Sequence, residues 1–316
     1  MSARQRLRGR GCAKLLAAFA AGALLLAAFA LYFAVRRTSG GAVPEHIYFR
    51  QDVPGAALAI AHRGGAGLWP ENTLYGFERA AALGVDVIET DVRATADGEI
   101  VVIHDERLER TTDGAGSVRS LTLSELKRLD AAYRFSADGG RTFPLRGRGV
   151  SVPTLGEVFD ALPRMRFNIE PKQSAPSIAA PLCRLIRGRG MAERVMVASF
   201  SDSILEEFRR ECPEVATSAS TAEVAGFLAL QRAGAAGSYG PRMQALQVPE
   251  WAGGVRVLTE DLVRAAHARN LRVHAWTVNS EDDMRRLARI GVDGVMTDYP
   301  DRLLRVLGRP AKADGR

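Results

Sequence analysis

Short apolar runs recur along the chain, and several of them end in charged or titratable residues. Three of these runs lie close together, at residues 57–61, 85–88 and 99–103. The polar residues at their ends are His62 and Arg63, Glu89 and Asp91, and His104 and Asp105. Apolar strands that end in polar residues are typical of a buried parallel sheet whose functional site lies at its carboxyl edge. Residues 71–84 have helical spacing between the first two runs, so this part of the chain is predicted to be a β-α-β unit.

The alternation of strand and helix continues towards the end of the chain. Later strands are predicted at residues 166–172, 194–201, 215–219, 245–249, 272–279 and 294–300. About eight β-α repeats over residues 55–308 are typical of a (β/α)8 TIM barrel, whose active site lies at the carboxyl ends of its strands. A doubly wound sheet would require a glycine-rich phosphate loop, and no G-x-G-x-x-G motif follows the first strand. We therefore predict an α/β TIM barrel in which residues 106–165 form a cap-like insertion that shapes substrate access.

The amino-terminal segment has the pattern of a membrane anchor. Residues 15–35 contain no charged side chain, and 21 residues form a helix of about 31 Å, enough to span a hydrocarbon core of roughly 30 Å. Basic residues flank this segment mainly on its amino-terminal side, so the amino terminus is expected in the cytoplasm and the barrel outside it. A cleaved signal peptide is the alternative, but the apolar run exceeds the usual roughly 7–15 residues. The predicted order is a cytoplasmic segment (1–14), an anchor (15–35), a linker (36–54), the barrel (55–308) and a tail (309–316).

The excess positive charge of the chain is confined to this amino-terminal segment. The sequence has 43 Lys and Arg against 36 Asp and Glu, a formal net charge of +7. Residues 1–37 contain seven basic side chains and no acid, which leaves 36 of each sign in residues 38–316. A balanced domain lacks the basic surface that nucleic-acid binding requires. Nucleic acid is therefore excluded as a partner.

Two cysteines on successive predicted helices, Cys183 and Cys212, are able to pair in an oxidising compartment. Their spacing matches no zinc motif. Sequence alone does not place two cysteines within bridging distance, so their pairing is left open.

Glu89 and Asp91 form a pair of acids on one predicted strand. Side chains two residues apart on a strand project to the same face. Two carboxylates at roughly 4 Å repel each other by about 4 kcal/mol at an effective dielectric constant near 20, and a proton or a divalent cation between them removes this cost. Oxygen ligands favour Mg²⁺ or Ca²⁺ over zinc. The alternative is that both acids face solvent on an edge strand.

Two motifs around these residues resemble the glycerophosphodiester phosphodiesterase family. The first is His62-Arg63-Gly64 followed by Pro70-Glu71-Asn72-Thr73. The second is Glu89-Thr90-Asp91-Val92 followed by Thr95, Asp97-Gly98, Val102 and His104-Asp105. With gaps, the resemblance extends from about residue 59 to residue 300. Residues 106–165 also resemble an insertion of that family.

The resemblance implies further site residues and a substrate class. In the family, the motif matching residues 166–172 supplies a third metal carboxylate, here Glu170, and a phosphate-binding lysine, here Lys172. Pro171 stands where an aliphatic residue is usual and leaves the placement of Lys172 less certain. The implied substrates are glycerophosphodiesters or lysophospholipids, cleaved to glycerol 3-phosphate or a lysophosphatidate and an alcohol.

We hypothesise that His62 and His104 share proton transfer as base and acid on opposite sides of the phosphorus. Three carboxylates, one divalent ion, Arg63 and Lys172 leave one net positive charge, which suits a monoanionic phosphodiester. Besides these two cations, Asn72 is predicted to contact the phosphate or to anchor its loop, and Trp276 to wall the substrate pocket or to pack in the core. The remaining assignments are structural: Glu71 at a helix start, His274 buried and hydrogen-bonded, and Asp298 in a supporting position.

Two other functions are compatible with this sequence. Lipases of the phospholipase C or D type use two histidines and acidic metal ligands on the same architecture, and an anchored enzyme would be held near lipid. A non-catalytic, membrane-tethered binding domain is the alternative from another class. Degenerate domains of that sort usually lose a histidine or a metal carboxylate, whereas this sequence retains all of them.

Overall fold

The computed structural model describes residues 41–50 and 55–309. The predicted anchor at residues 15–35, the segment before it and all but the first residue of the predicted tail lie outside these residues. Within the described part of the chain, every helix is too short or too polar to cross a membrane.

Eight parallel strands form the barrel that the alternating pattern predicts. They are β1 (Leu58–Ala61), β2 (Val87–Ala94), β4 (Arg166–Pro171), β5 (Val195–Val197), β6 (Ala216–Thr217), β7 (Ala245–Val248), β10 (Arg272–Ala275) and β11 (Gly294–Thr297). The strands lie in the order β6-β5-β4-β2-β1-β11-β10-β7. A parallel bridge between Ser218 and Ala245 joins the two ends of this order. The predicted TIM-barrel fold is therefore confirmed.

Helices on the outside of the barrel follow its strands. They are α1 (Leu74–Leu83), α2 (Leu123–Leu126), α3 (Leu155–Ala161), α4 (Ala179–Gly188), α5 (Asp202–Glu211), α6 (Thr221–Arg232), α7 (Glu260–His267), α8 (Glu281–Arg289) and α9 (Pro300–Val306). Helix α1 shows how the sequence sets these bounds. The Thr73 hydroxyl accepts the first-turn N–H of Gly76, and Gly84 ends the helix at a φ of 97°. Phe77 and Ala80 bury the inner face between these ends.

The run at residues 99–103 does not form a barrel strand, contrary to the parallel arrangement predicted for it. It contains β3 (Ile100–Val102), which pairs antiparallel with the end of β2. Only five residues separate β2 from β3, and Gly98 adopts a φ of 85° in the turn. A parallel connection requires a crossover of about a dozen residues or more, so this short turn dictates a hairpin. The hairpin folds back so that Ile103 donates its N–H to the Asp91 carbonyl.

The insertion at residues 106–165 has a small hydrophobic core of its own beside β3. Leu108, Val118 and Leu126 are fully or almost fully buried in this core. Residues 121–132 have the apolar spacing of a helix, but only the single turn of α2 forms there, and it begins with a capping box formed by Thr122 and Glu125. The insertion therefore packs against the outer side of the β2–β3 hairpin as an ordered layer.

Residues 41–50 close the amino-terminal end of the barrel, although their composition predicts a linker. Tyr48 and Phe49 are 1% and 3% exposed and pack against the first residues of β6 and β7. The Asn270 side chain also donates a hydrogen bond to the Val43 carbonyl. The linker prediction fails here because two large apolar side chains outweigh the Gly and Pro residues around them. These ten residues belong to the folded domain.

Candidate active site

A cavity of about 470 Å³ opens at the carboxyl ends of the barrel strands. One wall carries most of the charged residues singled out in the sequence: His62, Arg63, Glu89, Asp91, His104, Glu170 and Lys172. The opposite wall is formed by hydroxyl and apolar side chains. The barrel thus brings together residues that are up to 110 positions apart in the sequence.

Three carboxylates meet at the charged wall. The strand register pairs Asp91 of β2 directly with Glu170 of β4. Glu89 lies two residues before Asp91, and one oxygen from each of the three side chains lies within 4.8 Å of the others. Oxygen ligands at 2.3–2.6 Å from a Ca²⁺ ion span about this distance, and small side-chain shifts would suit the shorter bonds of Mg²⁺.

Because the three carboxylates are largely buried, it is unfavourable for all of them to be charged without a compensating positive charge. Glu89 is 3% exposed, and burial together with the Asp91 charge raises its pKa to about 8. Burial would also raise the pKa of Asp91, but Lys172 and Arg63 lower it below its usual value. Burial raises the pKa of Glu170. A buried set of hard oxygen donors whose negative charges repel one another fits a divalent cation.

Two cations border the carboxylates. The Lys172 Nζ lies 2.8 Å from a Glu170 oxygen and 3.2 Å from an Asp91 oxygen. Pro171 ends β4 without disturbing this placement, because the Lys172 N–H still donates to the Val92 carbonyl. The Arg63 side chain lies 3.4 Å from Asp91, and its backbone N–H donates to Glu89. The structure thus places both predicted cations at the acidic cluster.

The two histidines are held by neighbouring carboxylates. The Nδ1 of His62 lies 2.6 Å from an Asp298 oxygen, and its Nε2 lies 3.9 Å from Glu89. Burial lowers the pKa of His62, but the Asp298 hydrogen bond and the Glu89 charge raise it above its usual value. Asn279 donates to the second oxygen of Asp298 at 2.7 Å and fixes that carboxylate.

His104, which lines the same cavity, is held in an equivalent arrangement. Its Nδ1 lies 2.6 Å from Asp105, and Arg110 of the insertion forms an ion pair with the other Asp105 oxygen. Burial lowers the pKa of His104 below its usual value. Arg110 also binds Glu71 with both terminal nitrogens, at 2.7 and 2.8 Å. Glu71 therefore joins Arg63 to Arg110 instead of starting helix α1, whose N-cap is Thr73.

Asn72 anchors the loop between β1 and α1. Its amide nitrogen donates to Asp91 at 3.0 Å, and its amide oxygen accepts from the Thr90 hydroxyl at 2.9 Å. The residue is 4% exposed and adopts a φ of 56°. Because the amide is engaged at both ends, this geometry favours loop anchoring among the two roles that the sequence leaves open for Asn72.

Aromatic residues form the apolar side of the cavity. Trp276, predicted to wall the pocket, does so and packs edge-on against Phe200 with ring centroids 5.4 Å apart. A two-stranded hairpin, β8 (Trp251–Ala252) and β9 (Val255–Arg256), contributes Ala252 to the same wall. The large cavity is thus bounded mainly by segments after β5, β6, β7 and β10, whereas the insertion contacts the site through Arg110. The insertion supports the site from the side and does not cover the large cavity.

The sequence model of the glycerophosphoryl diester phosphodiesterase family matches residues 62–302, which include all of these side chains. The chain belongs to this family. A glycerophosphodiester phosphodiesterase of Caldanaerobacter subterraneus subsp. tengcongensis is 35% identical over 266 residues, which cover 79% of this chain and 97% of the relative. This family member is therefore an enzyme of the phosphoric diester hydrolase class.

Solved structures share the architecture. The crystal structure of a glycerophosphodiester phosphodiesterase from Agrobacterium tumefaciens has a TM-score of 0.62 and 27% identity, and covers 78% of this chain and 98% of that one. An Oleispira antarctica phosphodiesterase solved with the product sn-glycerol-3-phosphate has a TM-score of 0.63 and 25% identity, with 80% and 97% covered. These likenesses do not favour the phospholipase or binding-domain alternatives.

Three contributors to the site of this phosphodiesterase were missed or underrated by sequence reasoning. Asp298 was given only a supporting position, Asp105 was noted without a role, and Asn279 was not singled out. Each acts through another side chain. The available signal was their position, since Asn279 and Asp298 lie near the carboxyl ends of predicted strands, at the edge where the site lies.

Proposed function

We propose that this enzyme hydrolyses glycerophosphodiesters to glycerol 3-phosphate and an alcohol, with His62 and His104 as the proton-transfer pair. The observation that carries the proposal is the arrangement of the two imidazoles. Each faces the cavity that contains the three carboxylates, and each is oriented through its Nδ1 by an aspartate at 2.6 Å. Since Nδ1 is engaged, Nε2 is the atom of each ring that is available to substrate.

Hydrolysis of a phosphodiester requires one proton to leave the attacking oxygen and one to reach the departing oxygen. Two imidazoles on the same cavity supply one group for each transfer. The attacking oxygen forms a bond to phosphorus while the bond from phosphorus to the alcohol oxygen breaks. One histidine accepts the proton of the nucleophile, and the other donates a proton to the alcohol that leaves.

Glu89, Asp91 and Glu170 are the residues that would hold a divalent cation, Mg²⁺ or Ca²⁺. A cation bound there supplies positive charge next to the non-bridging oxygens of the phosphodiester. Arg63 and Lys172 flank the same position and would bind the phosphate. Asn72 keeps Asp91 in place for this task.

We also propose that the barrel lies outside the cytoplasm, attached to the membrane by residues 15–35. The flanking basic residues support this orientation. A disulfide between Cys183 and Cys212, with Cα atoms 5.7 Å apart, also supports it. Disulfides persist mainly in oxidising compartments. Fractionation with protease treatment of intact cells tests this, and protection of the barrel from protease would contradict it.

The function is tested with glycerophosphocholine, glycerophosphoethanolamine and lysophosphatidylcholine as substrates. Release of glycerol 3-phosphate is expected from the two glycerophosphodiesters, and release of lysophosphatidate from lysophosphatidylcholine would show lysophospholipase D activity. Hydrolysis should stop with a chelator and return with Mg²⁺ or Ca²⁺. His62→Ala and His104→Ala should each lower the rate by at least about 10²-fold while the fold is retained. Near-normal turnover in either variant would remove that histidine from the pair. With phosphatidylcholine or sphingomyelin as additional substrates, diacylglycerol or ceramide phosphate as product would instead indicate a phospholipase.

A further inference from the structure

A second, smaller cavity lies next to the active site and carries an excess of positive charge. Its volume is about 160 Å³, many times the space that one water molecule requires. Arg93, Arg119 and Lys172 line it together with a single carboxylate, Glu106. Lys172 also lines the large cavity, so the two cavities meet at this side chain.

The two arginines of this cavity differ from those of the main site. Arg63 and Arg110 form ion pairs with carboxylates. Within the described part of the chain, Arg93 and Arg119 instead bond only to backbone carbonyls. Arg93 donates from Nε to His104 at 2.9 Å, and Arg119 donates from one terminal nitrogen to Ala175 at 3.1 Å. Their remaining guanidinium N–H groups are available to a ligand, and two forked donors suit a carboxylate or a phosphate.

The geometry points to a binding subsite for an anionic group on the alcohol substituent of the substrate. This inference rests on the function proposed above. The glycerol arm of a glycerophosphodiester is neutral, and its hydroxyl groups suit the hydroxyl and aromatic walls of the large cavity. The positive charge of the small cavity offers no favourable interaction to a neutral glycerol. It is complementary to the second substituent of the phosphodiester when that substituent carries a carboxylate or a phosphate. The substrate phosphate next to Lys172 would lie between the two cavities.

This subsite also gives the insertion a part in substrate selection. Arg119 and the neighbouring Val118 come from the insertion, whose hydrophobic core holds Val118 at 1% exposure. The insertion therefore fixes the backbone position of Arg119, and the hydrogen bond to the Ala175 carbonyl directs its exposed side chain. Substrate specificity would be set at the side of the site, where the insertion lies, and not by a lid over the large cavity.

Matched substrate pairs test the inference. Glycerophosphoinositol 4-phosphate is compared with glycerophosphoinositol, and glycerophosphoserine with glycerophosphoethanolamine, because the members of each pair differ by one anionic group. For at least one pair the wild-type enzyme should favour the anionic member in kcat/KM by about 5- to 10-fold, and added NaCl should reduce this ratio. The first pair reports on phosphate and the second on carboxylate. Ratios near one in both pairs would overturn the inference.

Arg119→Gln is the decisive variant, because Arg119 makes no contact with either histidine. It should lower the anionic preference towards one and leave the kcat/KM for glycerophosphoinositol unchanged, which also shows that the variant is folded. Arg119→Lys should retain part of the preference. Arg128→Gln is the matched control, because it also removes one positive charge from the insertion, at an exposed position just after α2. It should leave the ratio as in the wild type. Equal ratios in wild type and Arg119→Gln would refute the subsite.

The outcome separates this inference from the proposed function. Hydrolysis of glycerophosphoinositol without an Arg119-dependent preference would retain the function and reject the subsite. If no substrate is hydrolysed, the function fails, and titration calorimetry with glycerophosphoinositol 4-phosphate still decides on the subsite. Tighter binding by the wild type than by Arg119→Gln would support it, and equal affinity would reject it.

Discussion

His62 and Asp298 lie 236 residues apart in the sequence, and their side chains are joined by a hydrogen bond of 2.6 Å. They meet because the first and last barrel strands are neighbours, with Ala61 opposite Thr297 in the register. Closure of the barrel thus brings His62 next to the carboxylate that orients its ring. Asp298 holds the imidazole in one tautomer and orientation, in which Nε2 faces the cavity.

Asp298→Asn should lower kcat by about 10- to 100-fold with little change in KM, because an amide orients the imidazole poorly and does not stabilise its protonated form. The negative charge of Asp298 raises the pKa of His62. Its loss should therefore also move the limb of the pH–rate profile that reports the titration of His62 to lower pH. Steady-state kinetics over a range of pH measure both effects.

Asp282→Asn is the matched control for this variant, since the Asp282 side chain is 95% exposed on helix α8. It should have wild-type kinetics. A kcat of Asp298→Asn within twofold of wild type would show that Asp298 does not position His62 for catalysis.

Glu170→Gln should weaken binding of Mg²⁺ or Ca²⁺ by at least about tenfold, because it removes one of three charged oxygen ligands. The thermal midpoint of chelated protein, measured as each ion is added back, reports binding independently of activity. Glu206→Gln on the exposed face of helix α5 is the control. An ion-dependent shift that is identical in wild type and Glu170→Gln would exclude Glu170 as a ligand.

The strand ends could be predicted from sequence, whereas the partners of the site residues could not. An apolar run followed by a polar residue reveals where a barrel strand ends, and this signal placed His62, Glu89 and Glu170 at one edge. The contacts of Asp298 and Asp105 depend on which strands are neighbours and on how loops turn. Those relations are long-range, and no local pattern encodes them.

Two local predictions failed for different physical reasons. Residues 99–103 have the apolar pattern of a barrel strand, but the length of the preceding turn decides between a parallel and an antiparallel partner. Residues 41–50 have the composition of a linker, but Tyr48 and Phe49 find a buried position at the end of the barrel. In both cases the tertiary surroundings outweighed the local sequence.

Replacing Cys183 and Cys212 by alanine should lower the free energy of unfolding by about 3–4 kcal/mol, because the disulfide closes a loop of about 30 residues in the unfolded chain. Urea denaturation with and without a reductant measures this. Reductant should shift the wild type towards the variant and leave the variant unchanged. Since Cys212 follows the carboxyl end of helix α5, away from the cavity, activity below the unfolding range should persist. Equal stability of the wild type and the variant without reductant would show that the disulfide does not form.

His274 should make the stability of the enzyme depend on pH in a defined window. It is fully buried on β10, and burial lowers its pKa to about 4 from the ordinary 6.5. Between these values the unfolded chain binds a proton that the folded chain does not, so stability falls as the pH is lowered from about 6.5 to about 4, by at most about 3 kcal/mol. Urea denaturation at a series of pH values measures this slope. His274→Gln should flatten it, and an unchanged slope would rule out His274 as its source.

Phe49→Ala should destabilise the barrel by about 3–5 kcal/mol, because the ring is 3% exposed and its removal leaves a cavity at the amino-terminal end of the strands. The Arg272 guanidinium lies over this ring, 5.8 Å from its centroid, so the variant also loses that contact. Urea denaturation gives the change in unfolding free energy. The active site lies at the opposite end of the strands, so kcat/KM should be unaffected while the protein remains folded.

Val255→Ala is the control for Phe49→Ala, because Val255 is 40% exposed and its truncation should change stability by no more than about 0.5 kcal/mol. A fragment that begins at residue 55 should be less stable than one that begins at residue 41, by at least as much as Phe49→Ala. If Phe49→Ala and the shorter fragment both match the longer fragment in stability, residues 41–50 act only as a linker. A large loss in both would show that the barrel needs these residues to close its amino-terminal end.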